Sequence, residues 1–479
     1  MKILKIVLLC IVVLVIAGYG LYKYKNLPQK PDYYEVYKNQ DTVPEGKVGV
    51  LVAGLIMPEK ISPVFFNNVA RKIFKTIVPW PARNFVTADK GVSLLDPVTY
   101  HSHEPFTPTS LVDPDGNDRD IDGMPYIEKY KQGLVKWVPP SSMLYLDHGY
   151  FLYTGRKGGQ PSICGKIINK ARTWYHNKGS LQHDLPHWKQ TFQVIDGAHE
   201  KLKAKYGSIE FRAESNMFLY ELREKLYELL NAGCNTLVLS SPLPMYSHFE
   251  EFNSGFRHCF EFIEEWEKEH PGKKIKVIMA PPMGLYQSYR KAFLEMLKDR
   301  LDTLPKDASV TVVVSVHGMP WDIFPWEAWI QLAPPWRDKL FEEIKEMVVS
   351  YKFKKTNVVA AQDEFADPIW DPKQKYLSTN RAYWNAIKEG YDYAINLPIE
   401  FYGENSDTMF HHALKNYHGF DQYDLYKPID YPDWSVPLTR EFVQGKTRII
   451  YNGVPVGKYQ KHVIEAFYQS IDSILSKKK

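Results

Sequence analysis

The chain has 479 residues, 44% hydrophobic and 14% aromatic, enough for two or three domains with real cores, which excludes an intrinsically disordered protein. The formal net charge is only +4, and the basic residues are scattered, which excludes a nucleic-acid-binding protein and a polybasic membrane patch.

In chain order, the N-terminus comes first. About 17 uncharged residues, Ile6 to Tyr22, lie between Lys2 and Lys5 on one side and Lys23 and Lys25 on the other; with Ile3 and Leu4 they approach the roughly 20 that span a bilayer. The sequence predicts an uncleaved single-pass membrane anchor over 1–25. A cleaved signal peptide is the competing reading, because Ala17 and Gly18 offer small residues near a cleavage point. Anchored in this way, the soluble part lies on the periplasmic or extracytoplasmic side. Residues 26–46, with their prolines and polar residues, read as a linker.

Val48 to Ala53 then reads as a buried strand that breaks at Gly54 and Pro58, followed by an amphipathic helix from Pro63 to Ile77. The stretch from about Pro79 to Val138 fits no α/β rhythm and reads as an insertion. Within it, Asp118, Asp120 and Asp122 alternate before Gly123, the first half of a calcium-binding loop in which alternate carboxylates converge. The loop's twelfth position is Lys129 and not the expected glutamate, so a bound Ca2+ and a solvated acidic turn both stay open. His101, His103 and Glu104 sit in the same insertion and read as a transition-metal site or as surface, the lone HSHE favouring surface.

From about Gly197 helices and strands alternate. Strands are predicted at Thr236–Ser240, Ile275–Ala280, Thr311–Val316, Val358–Ala361 and Tyr393–Leu397, with helices between them, which implies parallel sheets with crossover connections. Ligands bind at the carboxyl ends of such strands. His317, at the end of the run TVVVSV and before Gly318 and Pro320, is therefore either a residue for chemistry or a loop-capping histidine. The aromatic run Trp321, Phe324, Trp326 and Trp329 that follows would offer a stacking face to a flat ligand, or pack as a loop. Among the four cysteines there is no CxxC and no zinc spacing, which argues against an iron–sulfur cluster; Cys234 and Cys259 read as buried apolar residues.

Four ordered segments give the chain a resemblance to a known family. VGVLVAGLIMPE, TLVLSSPLPMYS, VVVSVHGMP and PIEFYGENSDTMF resemble the GVLLxNLGTPE, LYPQYS, SAHGLP and PIxFxSDHxETL segments of ferrochelatases, and AAQDEFADPIWDPKQ resembles their QSRxGPxPWLxP. The family inserts ferrous iron into protoporphyrin in heme biosynthesis, as a lyase. The resemblance implies an α/β fold of two similar Rossmann-like halves with a cleft between them. The implied division is 47–235 with the insertion at about 79–138, then 236–440, then 441–479 as an extension whose helix returns to the first half. It further implies a divalent metal, Fe2+ above others, as substrate, and a tetrapyrrole ligand.

Carried over residue by residue, the resemblance places the family's histidine on His317 and its glutamate on Asp407, as metal and proton-handling groups. The family's aspartate falls on Glu404, its second histidine on Asn405, which cannot exchange protons, and its arginine on Glu364. Met57, Tyr246, Met319, Trp321, Tyr402 and Asn405 fall on loops that would rim the cleft and touch the macrocycle. His248, Met283 and Tyr286 fall on such loops too. His411 and His412 read as surface or supporting groups on a helix beyond the acidic loop. Two functions follow: a membrane-anchored chelatase using His317, Asp407 and Glu404, or a non-catalytic tetrapyrrole- or metal-binding protein on the same scaffold.

Overall fold

The computed structural model describes residues 2–28, 30–59, 80, 128, 131–132, 135–138, 150–153, 185–319, 324–363, 366, 373, 376–423, 429 and 431–478. The amphipathic segment at 63–77, the acidic motif Asp118, Asp120 and Asp122, and Trp321 lie outside them.

The strands are β1 (Val48–Gly54), β2 (Val135–Val138), β3 (Tyr150–Tyr153), β4 (Glu210–Ser215), β5 (Thr236–Ser240), β6 (Lys276–Met279), β7 (Ser309–Val316), β8 (Lys355–Gln362), β9 (Leu377–Ser378), β10 (Tyr393–Pro398), β11 (Arg440–Gln444) and β12 (Thr447–Tyr451). The α-helices are α1 (Lys2–Lys25), α2 (Tyr33–Asn39), α3 (His187–Tyr206), α4 (Leu219–Asn231), α5 (Arg257–Glu269), α6 (Gln287–Leu301), α7 (Ala328–Leu332), α8 (Pro334–Ser350), α9 (Thr379–Lys388) and α10 (Gln460–Leu475).

Two sheets carry the molecule. The first has the order β4-β1-β5-β6 and is parallel throughout. The second has the order β11-β12-β10-β7-β8-β9 and is parallel except for its edge pair β11 and β12. A parallel sheet needs helices on both faces, so its strands are apolar on both sides. That explains why all eight residues of β7 are buried. The first sheet continues through Met279, well past the expected division at 235, and β11 and β12 place residues 440–451 in the second sheet and not in an extension. The helix α10 lies on α3, where Ile464 fills the space left by Gly197 and Lys201 pairs with Glu465 at 2.9 Å.

The N-terminal expectation is corrected. Helix α1 forms, but among the described residues no helix is long and apolar enough to cross a membrane. Its uncharged run, Ile6 to Tyr22, rises only about 25 Å at 1.5 Å per residue, short of a hydrocarbon core about 30 Å thick. The single-pass reading and the extracytoplasmic placement that depended on it are not supported. The stretch expected as a linker is also folded in part. Asp32 caps α2 by accepting from Tyr34 N at 3.0 Å, Tyr33 and Tyr34 are buried, and Gln40 pairs through its carboxamide with both backbone groups of Met279.

Candidate active site

The site is built on the carboxyl ends of β5, β7 and β10. After β7, Gly318 adopts a φ of +88°, which favours glycine, and the chain turns sharply away. This leaves His317, half-buried, at the strand end. Its Nδ1 lies 2.9 Å from the Gly318 carbonyl, an acceptor only, so in the neutral ring Nδ1 carries the proton and Nε2 the lone pair. The ring rests against Trp329 and Phe401, with centroids 5.2 and 6.1 Å away.

Behind it stands Glu400, buried, which accepts the backbone N–H of His317 at 2.8 Å and lies 3.3 Å from both Arg337 Nη1 and Trp329 Nε1.

Two π-helical turns follow β5 and β10 and supply the acids. The first, His248–Phe256, carries an i to i+5 bond from Phe252 N to Ser247 O. The second, Thr408–His412, is closed by Ala413 N to Thr408 O. Such turns occur often at functional sites. On the first sits Glu250, which the sequence reading did not single out. Burial pushes its carboxyl up to about 7; a charge on His317 pulls it back, and the carboxylates of Asp407 and Glu327 push it further up. Glu250, His317 and Asp407 therefore share one electrostatic environment, and each keeps part of its surface open. Next to it, Glu251 is fully buried, accepting from Ser247 N and Ser241 Oγ, and burial together with the Glu250 charge raises its pKa well above the usual range.

Asp407 begins the second π-turn. Asn405 shapes that turn: its Oδ1 accepts from both Asp407 N and Thr408 N at 2.9 Å. The carboxamide thus acts as a cap, which fixes where Asp407 points. Glu404 lies deeper, fully buried, with Tyr451 donating to its carboxylate at 2.9 and 3.1 Å; burial raises its pKa to about 7. His411 and His412, expected at the surface or in support, are both buried. His412 Nδ1 lies 3.1 Å from Asn396 Oδ1, and its Nε2 lies 2.8 Å from Asp363 Oδ2, though not along hydrogen-bond directions.

Of the residues expected to touch a macrocycle, Met57 joins the two halves. Its Sδ accepts from Ser406 Oγ at 3.1 Å and its backbone N donates to His187 Nδ1 at 3.1 Å. Tyr246, Met319 and Tyr402 are core residues in this conformation. Tyr246 accepts from Ser241 N and stacks edge-on with Phe252 and Phe256, and Tyr402 shares a hydrogen bond with Thr191. His248 is buried under the N-terminal segment: Ala328 N donates to its Nδ1 at 2.9 Å, so its Nε2 carries a proton toward Asp32 Oδ1 at 3.2 Å. Besides Glu250, the sequence reading missed Glu400, Glu327 and His187. Glu250 and Glu400 are single acids beyond strand ends, a signal too common in the sequence to pick them out. Among the described residues no group of three or more His, Cys, Asp or Glu stands close enough to hold a metal ion. Cys234 and Cys259 are buried free thiols.

No family model matches the chain. It is similar to a ferrochelatase of Aquifex aeolicus, 22% identical over 254 residues that cover 52% of this chain and 74% of that protein. Ferrochelatases of Trichodesmium erythraeum and Thermosynechococcus vestitus are 21% identical over 168 residues, 35% of this chain, and the chain spans only 41% and 40% of their lengths. Among solved structures, SirB from Bacillus subtilis with Fe3+ is similar over 60% of this chain and 89% of its own, at 12% identity and a TM-score of 0.34. By sequence, the chain is similar to ferrochelatases at a distance.

Proposed function

We propose that this chain is a ferrochelatase-type enzyme that inserts a divalent metal, iron above others, into a tetrapyrrole. The observation that carries the reading is the meeting of His317, Glu250 and Asp407 in one environment at the carboxyl ends of β7, β5 and β10. The distant likeness to ferrochelatases supports it.

Metallation replaces two pyrrole N–H protons by one divalent cation, so the site must accept two protons while a positive charge enters. The lone pair on His317 Nε2 would take the first. Glu250, near neutrality, would take the second or pass it outward. Asp407, aimed by Asn405, would meet the metal on its way in and balance its charge. Iron and the metallated macrocycle are substrate and product here.

A second reading, a carrier that binds a tetrapyrrole without turnover, is favoured by Asn405, which caps a turn where the resemblance places an acid–base histidine. One experiment separates the two. The chain is mixed anaerobically with protoporphyrin and Fe(II), Zn(II) or Co(II), and the absorption bands are followed. Many turnovers, lost in His317→Ala and Asp407→Ala without unfolding, support the enzyme. Saturation at one equivalent without metallation overturns it in favour of the carrier.

A further inference from the structure

The second π-turn ends on a buried pair of groups with no part in the proton transfers proposed above. His412 is 1% exposed, and Asp363, the residue after β8, is 8% exposed. The protons of the ring follow from neighbours that have no choice. Asn396 Nδ2 donates to Val313 O at 3.1 Å and to Ser315 Oγ, so its amide oxygen is the atom 3.1 Å from His412 Nδ1. A carboxamide oxygen only accepts, which puts a proton on Nδ1. Asp363 Oδ1 accepts from Asn416 Nδ2, and this leaves Oδ2 to meet His412 Nε2 at 2.8 Å. Neither Oδ2 nor Nε2 has a hydrogen-bond partner elsewhere. With a neutral ring, a lone pair on Nε2 would face a carboxylate oxygen, two buried acceptors in repulsive contact. A proton on Nε2 turns that contact into an ion pair, whose attraction does not depend on hydrogen-bond direction.

We propose that Asp363 holds His412 as an imidazolium, one proton on each ring nitrogen, and that the pair positions Asp407. Asp363 N donates to Val316 O at 3.3 Å, beside His317, so the pair ties the last residue of the π-turn to the strand end that carries His317. Asp407 stands at the start of the same turn, which Asn405 holds from the other side. The part given to Asp407 rests on the function proposed above; the shared proton does not.

The groups around the pair fit a buried cation. Glu404, raised by burial, is drawn back down in part by a charge on His412. Tyr451 stacks on the ring at 6.0 Å and Phe401 meets it edge-on at 5.8 Å. On the Asp363 side stand the buried phenols of Tyr383 and Tyr417, and Arg440, which faces Tyr417 and donates from Nη1 to Ala413 O at 2.6 Å.

The test uses the whole chain with 15N-labelled histidine near neutral pH, the His412 signals being those absent from His412→Leu. Hydrogen exchange over 405–415, which contains the closing bond from Ala413 N to Thr408 O, is followed beside them. Both His412 nitrogens of the unaltered chain should resonate as protonated. Asp363→Asn, whose amide nitrogen can donate to Nε2, should return Nε2 to a bare nitrogen and keep exchange of the turn within about twofold. Asp363→Ala, with nothing to meet the ring, should speed that exchange about tenfold or more. With protoporphyrin and Zn(II), metallation should slow in Asp363→Ala in step with exchange and recover in Asp363→Asn. The proposal is overturned if Nε2 is bare in the unaltered chain, if Asp363→Ala exchanges no faster, or if its turn loosens while metallation keeps its rate. An unaltered chain that does not metallate at all would overturn the proposed function instead, while the spectra and the exchange still decide the pair.

Discussion

Glu400 grips His317 by its backbone and not by its ring, with the His317 N–H donating to Oε2 at 2.8 Å while Oε1 faces Arg337 at 3.3 Å. The strand-end histidine is thereby fixed by a buried ion pair that never touches its imidazole. Removing one partner of such a pair leaves a buried charge alone, which costs about 3–5 kcal/mol. Arg337→Met should therefore lower unfolding free energy by about that amount in chemical denaturation. Glu400→Gln should lose less, since its amide oxygen still accepts from His317 N.

Asn405 is expected to matter for where Asp407 points. Its Oδ1 holds two backbone N–H groups, so Asn405→Ala should cost about 1 kcal/mol, as for other lost caps. Asn405→Asp keeps an acceptor and should stay close to the original stability. If the alanine variant unfolds at the same denaturant midpoint as the original, the cap is not what holds the turn.

His187 gives a pH prediction. Burial lowers its pKa to about 3, and its Nδ1 accepts Met57 N, so it is neutral in the fold. A histidine depressed in this way contributes stability that is present above its unfolded value of about 6.5 and lost as pH falls toward 3. Stability should fall across that window. His187→Asn should flatten this part of the curve while lowering stability at neutral pH, and melting curves at stepped pH would show both effects.

The parallel sheets could be read from the sequence because buried strands such as β7 are continuous apolar runs. His317 could be singled out because it ends such a run, and Asp407 only through the resemblance of PIEFYGENSDTMF to a ferrochelatase segment. Glu250 could not: it sits on the i to i+5 winding after β5, which no local periodicity announces. Glu400 was hidden in the same way, because a single acid beside a strand end does not reveal the arginine about 60 residues earlier that neutralises it. The membrane reading is not supported, because among the described residues no helix is both long and apolar enough to cross a bilayer.

The packing of α2 predicts the outcome of shortening the chain. Removing residues 1–25 takes away a helix whose described apolar side chains, Val7 to Leu21, are largely exposed, so the melting temperature should hold. Removing 1–40 also takes Asp32 from His248, Tyr34 from Gln331 and Gln40 from Met279. That shorter chain should melt several degrees lower. Equal melting of the two would mean that the N-terminal segment does not brace the first π-turn.

Glu250→Gln tests the proton-handling half of the proposed function. A carboxyl raised to about 7 is mostly protonated at pH 6 and mostly ionised at pH 8, so a step that needs it as an acceptor should quicken as pH rises through 7. The same shift has the opposite consequence for stability. A raised carboxyl favours the fold below its unfolded value of about 4.5, and that contribution is lost as pH rises through 7. The glutamine variant removes the ionisable group, so the rising limb of kcat/KM near pH 7 should disappear with a rate loss of about 100-fold, in the range of a missing acid–base group. Its stability should also fall less steeply between about pH 5 and 8 than that of the original chain. A merely structural Glu250 would move the melting curves and leave the position of the kcat/KM limb where it was, and that outcome would return the second proton to Asp407 or to solvent.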